Sequence, residues 1–231
     1  IATRQTDIKK ILAYSTMSQL GYMFIAVGLG FYSSGLFHVF THAFFKAMLF
    51  MGAGAAILAL HHEQNIFKMA QHRVYQPIVK ATFLIGVIAI AGIPPFSGFF
   101  SKDAILAAAF QEGEFIIYGI GIFTAFLTAF YMFRLYFVVF VAPNGHDVHY
   151  ASTDKTISFP LLVLAIGAIF AGFLNFPAIF GGEHQVDTWL AQLNSTVLHM
   201  SHSTEYILMF ASVAVAALGI LVAYKKYAHF D

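Results

Sequence analysis

Apolar positions along this chain come in long unbroken runs rather than in alternation. Six runs are long enough to cross a hydrocarbon core, which takes about 20 helical residues. They cover residues 11–31, 36–60, 78–110, 115–141, 159–176 and 206–224. Continuous runs rich in Ala, Leu, Phe and Met are unlike the alternating strands of a membrane barrel. The expected fold is an all-α polytopic membrane protein with a single transmembrane domain over residues 1–231 and six transmembrane helices. The third run contains Gly92-Ile93-Pro94-Pro95-Phe96-Ser97-Gly98. Two prolines remove two backbone donors between flanking glycines, so that helix is expected to be broken at Gly92–Gly98. Such a break at membrane depth survives only where protein or a wet cavity satisfies the freed carbonyls, and discontinuous helices mark ion sites in transporters. The polar connection Gly181–Thr204 carries the only Trp, Trp189, and its stretch Asp187–Leu198 is expected to form a short helix at the membrane surface.

Composition agrees with the runs. The chain is 59 % apolar and only 10 % charged, against about 25 % charged in soluble domains. Its outside must therefore face lipid. The absence of Cys excludes disulfides, Cys-ligated iron–sulfur clusters and thiol chemistry. The chain opens at Ile1 without an initiator Met, which points to a fragment whose upstream helices are missing.

Charge placement adds topology. With six crossings, Arg4, Lys9, Lys10, Lys68, Arg73, Lys80, Lys155, Lys225 and Lys226 fall on one side, nine basic residues against none on the other. The opposite loops hold Glu112, Glu114, Glu183, Asp187 and Glu205. This positive-inside pattern puts both ends of the chain on the cytoplasmic side or its equivalent. Three basic residues remain inside runs: Lys46, Lys102 and Arg134.

The second run places His38, His42 and Lys46 four residues apart, one column on one helix face. A charge near mid-span costs at least about 2.5–3.5 kcal/mol, so a titratable column must face protein or internal water. Burial destabilises the charged form of an amine, and imidazole exchanges protons near neutrality. The column can therefore pass protons along; alternatively, each His only hydrogen-bonds a neighbouring helix. After the break, Ser101 is expected to cap the second half-helix, with Lys102 and Asp103 in its first turn. The competing reading is a simple kink with Lys102 snorkelling outward. Arg134 lies about two turns from the basic end of its run. It either snorkels with its stem on aromatics or, as a permanent charge, sets the field around a nearby Lys or pairs with an acid. The pairs His146/His149 and His199/His202 lack partners at metal-site spacing, and no phosphate loop, dinucleotide fingerprint or heme pattern is present. The run Gly52-Ala53-Gly54-Ala55-Ala56 is expected to permit close helix packing.

Several segments together resemble a known family. Thr6-Asp7-Ile8-Lys9-Lys10-Ile11-Leu12-Ala13-Tyr14-Ser15-Thr16-Met17-Ser18-Gln19-Leu20-Gly21-Tyr22 resembles the signature of the antiporter-like subunits of respiratory complex I and of Mrp-type cation/proton antiporters. His38 through Lys46, His61 through Met69, and Gly98 through Asp103 are similar to the distal, NuoL-type pump subunit. The likeness is specific from Ala2 to about Phe140 and rests on hydropathy beyond. It implies that Lys46 belongs to a central hydrophilic axis, that Lys102 sits on a broken helix linked to proton exit, and that His38 and His42 connect the two. Asp7 and Lys9 would form a pair at the cytoplasmic mouth. The implied function is proton translocation as a half-channel of a proton-translocating NADH:quinone oxidoreductase, an enzyme complex of the respiratory chain. Alternatives are a cation/proton antiporter, a hydrogenase- or bicarbonate-linked relative, or a membrane scaffold without transport. No cofactor or metal is expected on this chain; NADH, FMN, iron–sulfur clusters and quinone would lie on partner subunits. Partners would be other membrane-arm subunits, including another antiporter-like one, and the lipid bilayer, with no nucleic acid. The implied location is a bacterial inner membrane, or the mitochondrial inner membrane if organellar.

Overall fold

The computed structural model describes residues 1–74, 76–141, 147–149, 154–176, 182, 185–190, 192–193 and 200–228. Helices dominate: α1 (Ile8–Gly28), α2 (Tyr32–Ala59), α3 (Ile66–Gln71), α4 (Pro77–Ala91), α5 (Ser97–Gln111), α6 (Phe115–Tyr136), α7 (Lys155–Phe170), α8 (Gln185–Trp189) and α9 (His202–Tyr227). Helix α6 runs on through a π-helical turn Phe137–Val141, and α7 through a 3-10 turn Ala171–Asn175. Among the described residues the only strands are His72–Val74 and Asp147–His149, a three-residue parallel pair.

Five helices are long and apolar enough to cross a membrane: α1, α2, α6, α7 and α9 with their extensions. The remaining crossing is divided between α4 and α5, 15 residues each. One such half is about 22 Å long, too short alone for a ~30 Å core. Large apolar side chains cover the outside. Phe24, Ile116, Phe159 and Phe210 are each at least 71 % exposed, an arrangement a water-soluble protein does not tolerate over its whole perimeter but lipid favours. The chain is a polytopic all-α membrane protein.

Helix α2 stands at the centre, packed by α1, α4, α5 and α7, while α9 packs along α6. α1 and α2 form a hairpin, since Gly35 near the start of α2 faces Met23 and Ala26 near the end of α1. Of the small-residue run, Gly52 lies against Phe83 of α4, whereas Gly54 faces open space. Asp7 begins α1 by accepting the Lys10 amide at 2.9 Å, the usual capping exchange for an orphan donor.

The break itself is built from two glycines. Gly92 caps α4 with φ +77, in the left-handed region, and its amide reaches Ala89 O at 3.1 Å. Pro94 and Pro95 follow, and α5 starts at Ser97 behind Phe96 in extended conformation. Gly98 then lies directly against the carbonyl of Ala89, where a Cβ would overlap the oxygen. The first turn of α5 thus overlaps the last turn of α4.

Two local expectations are corrected. Ser101 does not cap α5. It lies in the second turn, with its Oγ 3.3 Å from Ser97 O as an alternative acceptor, because the prolines set the helix start four residues earlier. Lys102 and Asp103 are accordingly past the first turn and outside the reach of its terminal dipole. The surface helix expected over Asp187–Leu198 is instead Gln185–Trp189. Residues 192–193 form a turn, while residue 191 and 194–198 lie outside the described residues.

Candidate functional site

A group of the buried polar side chains lies on α1, α2 and α5. His38, Thr41 and Lys46 of α2, Ser15 and Gln19 of α1, and Ser101 and Lys102 of α5 are all at most 5 % exposed. The i, i+4 spacing brings His38, His42 and Lys46 onto one inward face, and the rings of His38 and His42 lie 6.3 Å apart. His42 is half-buried, with its Nε2 buried and without a hydrogen-bond partner. Lys46 is the residue nearest the middle of α2, and its Nζ is likewise buried and unpartnered.

His38 is the junction. Its Nε2 lies 3.1 Å from Gln19 Oε1 and its Nδ1 lies 2.9 Å from Ser101 Oγ. A carbonyl oxygen only accepts, so Nε2–H donates to Gln19 and Nδ1 accepts from Ser101. Ser101 Oγ also lies 2.8 Å from Thr41 Oγ1. Gln19 Nε2 is buried and has no partner.

Lys102 points back toward the break, as side chains on a helix do. A Cβ built on Gly92 would lie 3.8 Å from its Nζ, which places the amine over the last turn of α4, where unpaired carbonyls carry negative partial charge. The same Nζ stands 5.3 Å from the Tyr22 ring centroid. Tyr22 meets His38 edge-on at 6.3 Å and donates from its hydroxyl to Gly121 O at 2.5 Å. Asp103 turns to α9 instead, accepting from Ser212 Oγ at 2.6 Å, with its other oxygen buried and unpartnered. On the same face of α1, one turn from Gln19, Ser15 Oγ accepts from the Tyr131 hydroxyl of α6 at 3.0 Å.

The remaining sequence candidates lie elsewhere. Arg134 donates from Nη1 to the carbonyls of Thr3 and Gln5 at 3.1 and 3.0 Å. Its guanidinium stacks over Phe67 and Tyr227, 5.5 and 5.6 Å from their centroids. It clamps the N-terminal turn, α3 and α9 together and touches none of the row's side chains. Asp7 caps α1, and Lys9 is exposed; the only ion pair among the described residues is Lys68–Glu63 at 3.8 Å. His146 and His199 lie outside the described residues.

Gln19, Thr41 and Tyr22 were not singled out by their types, and Ser101 only as a helix cap. The signal that marks Gln19 is its position: with Ser15 it is a polar pair at i, i+4 in an otherwise apolar crossing. The set is a hydrogen-bonded cluster, Gln19–His38–Ser101–Thr41, flanked by the unpartnered groups of His42, Lys46 and Lys102 inside a lipid-facing bundle. Chemically it can bind, hold and pass protons.

Comparison with known proteins is consistent with this. Residues 1–128 match the family described as NADH:quinone oxidoreductase/Mrp antiporter, TM. NADH-quinone oxidoreductase subunit L of Escherichia coli (strain K12) is 44 % identical over 220 residues, covering 95 % of this chain and 34 % of that protein. NAD(P)H-quinone oxidoreductase chain 5 of a Picosynechococcus species is 41 % identical over 261 aligned positions, covering 98 % of this chain and 39 % of that protein. Among solved structures, the Mrp complex from a Dietzia species matches with a TM-score of 0.66 at 18 % identity, covering 98 % of this chain and 46 % of the other, a likeness of fold. The chain thus spans little more than a third of the curated relatives it matches.

Proposed function

The chain belongs to the NADH:quinone oxidoreductase/Mrp antiporter transmembrane family, and we propose that it carries protons across the membrane as one half-channel of the distal pump subunit of an NADH:quinone oxidoreductase. The observation that carries this reading is Lys46, an amine at mid-helix, 5 % exposed, without a hydrogen-bond partner and aligned with two histidines. A buried ammonium kept only for structure would be paired, because an uncompensated charge at that depth is costly.

In this reading a proton held at Lys46 passes along His42 to His38. Neutral imidazole carries its proton at one nitrogen and accepts at the other. His38 has a partner ready at each: the Gln19 amide at Nε2 and the Ser101 hydroxyl at Nδ1. When the Ser101 hydroxyl turns away, Nδ1 takes up the proton and the ring is briefly doubly protonated. That Nδ1 proton then passes to Ser101 Oγ as the hydroxyl releases its own toward Lys102, and the starting tautomer, with Nε2–H on Gln19, is restored. The Ser101 hydroxyl has two acceptors in reach, His38 Nδ1 and Ser97 O, so it rotates between them. Lys102, just past the break, is the next site that holds a proton, with Asp103 as its acidic neighbour. The basic ends of the helices face the cytoplasm or matrix, and the redox chemistry belongs to partner subunits of the membrane and peripheral arms.

Substitution at Lys46 in the full-length subunit, within its assembled complex, tests the reading. Lys46→Ala and Lys46→Arg should both abolish proton translocation per NADH oxidised, since Ala removes the site and Arg fixes its charge. Lys155→Arg, at an exposed position, should leave the ratio unchanged. An assembled Lys46→Arg complex that pumps at the normal ratio would remove the relay role. Because the family includes Mrp antiporters, the same vesicles should also be assayed for sodium flux; sodium exchange without NADH dependence would reassign the row to antiport.

A further inference from the structure

The buried column does not stop at His38. One turn nearer the start of α2 stands Ser34, so residues 34, 38, 42 and 46 share one face, and Ser33 stands beside it. Ser33 and Ser34 are 1 % and 5 % exposed. Ser33 donates from its hydroxyl to Asp187 Oδ1 at 2.5 Å. Asp187 sits on α8, the short helix across that end of the bundle. Its other oxygen accepts from Asn175 Nδ2 at 3.1 Å, and Asn175 Oδ1 accepts the amides of Val186 and Asp187 at 3.2 and 3.4 Å. Val186 packs with Phe37, Phe99, Phe100 and Met209, a dry apolar collar around the same end of α2 and α5.

Asp187 is therefore a half-buried carboxylate with one oxygen on Ser33, the chain neighbour of the column residue Ser34, and its residue partly open to the outside. We propose that Asp187 is the terminal proton-binding group of this half-channel, taking the proton from the Ser33 hydroxyl and releasing it to water on the side opposite the basic loops. In this proposal the proton that leaves Ser33 is replaced through Ser34, one turn from His38 and on a branch separate from the Ser101–Lys102 side, so the hydroxyl is restored each turn and only a proton crosses. The apolar collar makes this placement useful. Its apolar side chains lie at the same end of α2 as the Ser33–Asp187 contact, so that the carboxylate is the polar group nearest the outside there. The inference rests on the proton-carrying reading above and adds the identity of its outer end.

A competing role is available on the same contacts, since Asp187 could simply latch α8 to Ser33 and Asn175. The two roles rank substitutions in opposite order. Asn has the size of Asp and an oxygen to accept from Ser33, but it does not titrate; Glu titrates but is one methylene too long for the latch. Both variants should be placed in the full-length subunit of the assembled complex, with Lys46→Ala alongside. Proton translocation per NADH oxidised is read in sealed vesicles. The terminal role predicts a fall of at least fivefold for Asp187→Asn, with Asp187→Glu keeping more than half of the wild-type ratio. Asn performing as well as or better than Glu would overturn it and leave the latch. If Lys46→Ala pumps normally, the underlying reading has failed and this one falls with it; if Lys46→Ala is inactive while Asp187→Asn is normal, the outer end alone is wrong.

Discussion

Ser101 is one oxygen atom at the meeting point of α2 and α5, and deleting it separates transport from stability. Its hydroxyl touches His38 Nδ1 at 2.9 Å, Thr41 Oγ1 at 2.8 Å and Ser97 O at 3.3 Å, at 0 % exposure. In Ser101→Ala, Thr41 keeps the His38 carbonyl at 3.2 Å and His38 keeps Gln19. The structural loss is two hydrogen bonds at roughly 0.5–1.5 kcal/mol each. Ala is about 0.5 kcal/mol better than Ser inside a helix, which offsets part of it. The net cost is about 1–2 kcal/mol, small enough for the subunit to assemble. Transport is affected more. The space left by one oxygen is smaller than the ~30 Å³ share of a water molecule, so no water takes over the bridge. His38 Nδ1 loses its hydrogen-bonded neighbour, and a barrier raised by about 1–3 kcal/mol slows the hop roughly five- to 150-fold. The assay is acidification of proteoliposomes normalised to NADH oxidation, with complex integrity checked by thermal melting. An intact Ser101→Ala complex with the wild-type proton ratio would refute the role of this hydroxyl in the path.

Two further outcomes follow from the packing. Gly98→Ala forces a methyl group into the carbonyl of Ala89, so α5 must pull away from α4. Overpacking of this kind costs about 1–3 kcal/mol or more; the yield and melting temperature of the assembled complex should drop, and an unchanged melting temperature would contradict the overlap of the two half-helices. Arg134→Lys keeps a charge but cannot span the carbonyls of Thr3 and Gln5 while stacking between Phe67 and Tyr227. It should increase protease sensitivity around residues 2–5 without altering the proton ratio of complexes that remain intact, whereas a lost ratio in a fully stable complex would make Arg134 part of the transport path.

The helical crossings were legible because lipid imposes a simple rule on composition: long apolar runs without alternation. The column His38–His42–Lys46 was legible for a similar reason, since its geometry lies within one helix and depends only on a spacing of four. The break was legible from Pro94 and Pro95. Its consequences were not, because the start of α5 is set by the chain leaving the prolines and by the room that Gly98 provides against Ala89. Ser101, read as a cap, turned out to be a junction. The contacts that make it one come from α2, more than 50 residues away in sequence, and no local pattern carries them. Gln19 and Tyr22 belong to the same class. Arg134 could be placed near its helix end by counting, but its partners Thr3 and Gln5 act through backbone carbonyls, which are identical for every residue type. Asp187 stood out only as one acid among several on its side.

The overlap at the break has a mechanical consequence. Lys102 is anchored in α5, yet its amine lies over the last turn of α4. A slide or tilt of either half-helix, even by an ångström, changes the distance between that amine and the carbonyl ends of the other half without breaking a single backbone hydrogen bond. Any relative movement of the two half-helices is therefore felt by the buried amine. A continuous helix would carry lysine and carbonyls along as one body, and their separation would stay fixed.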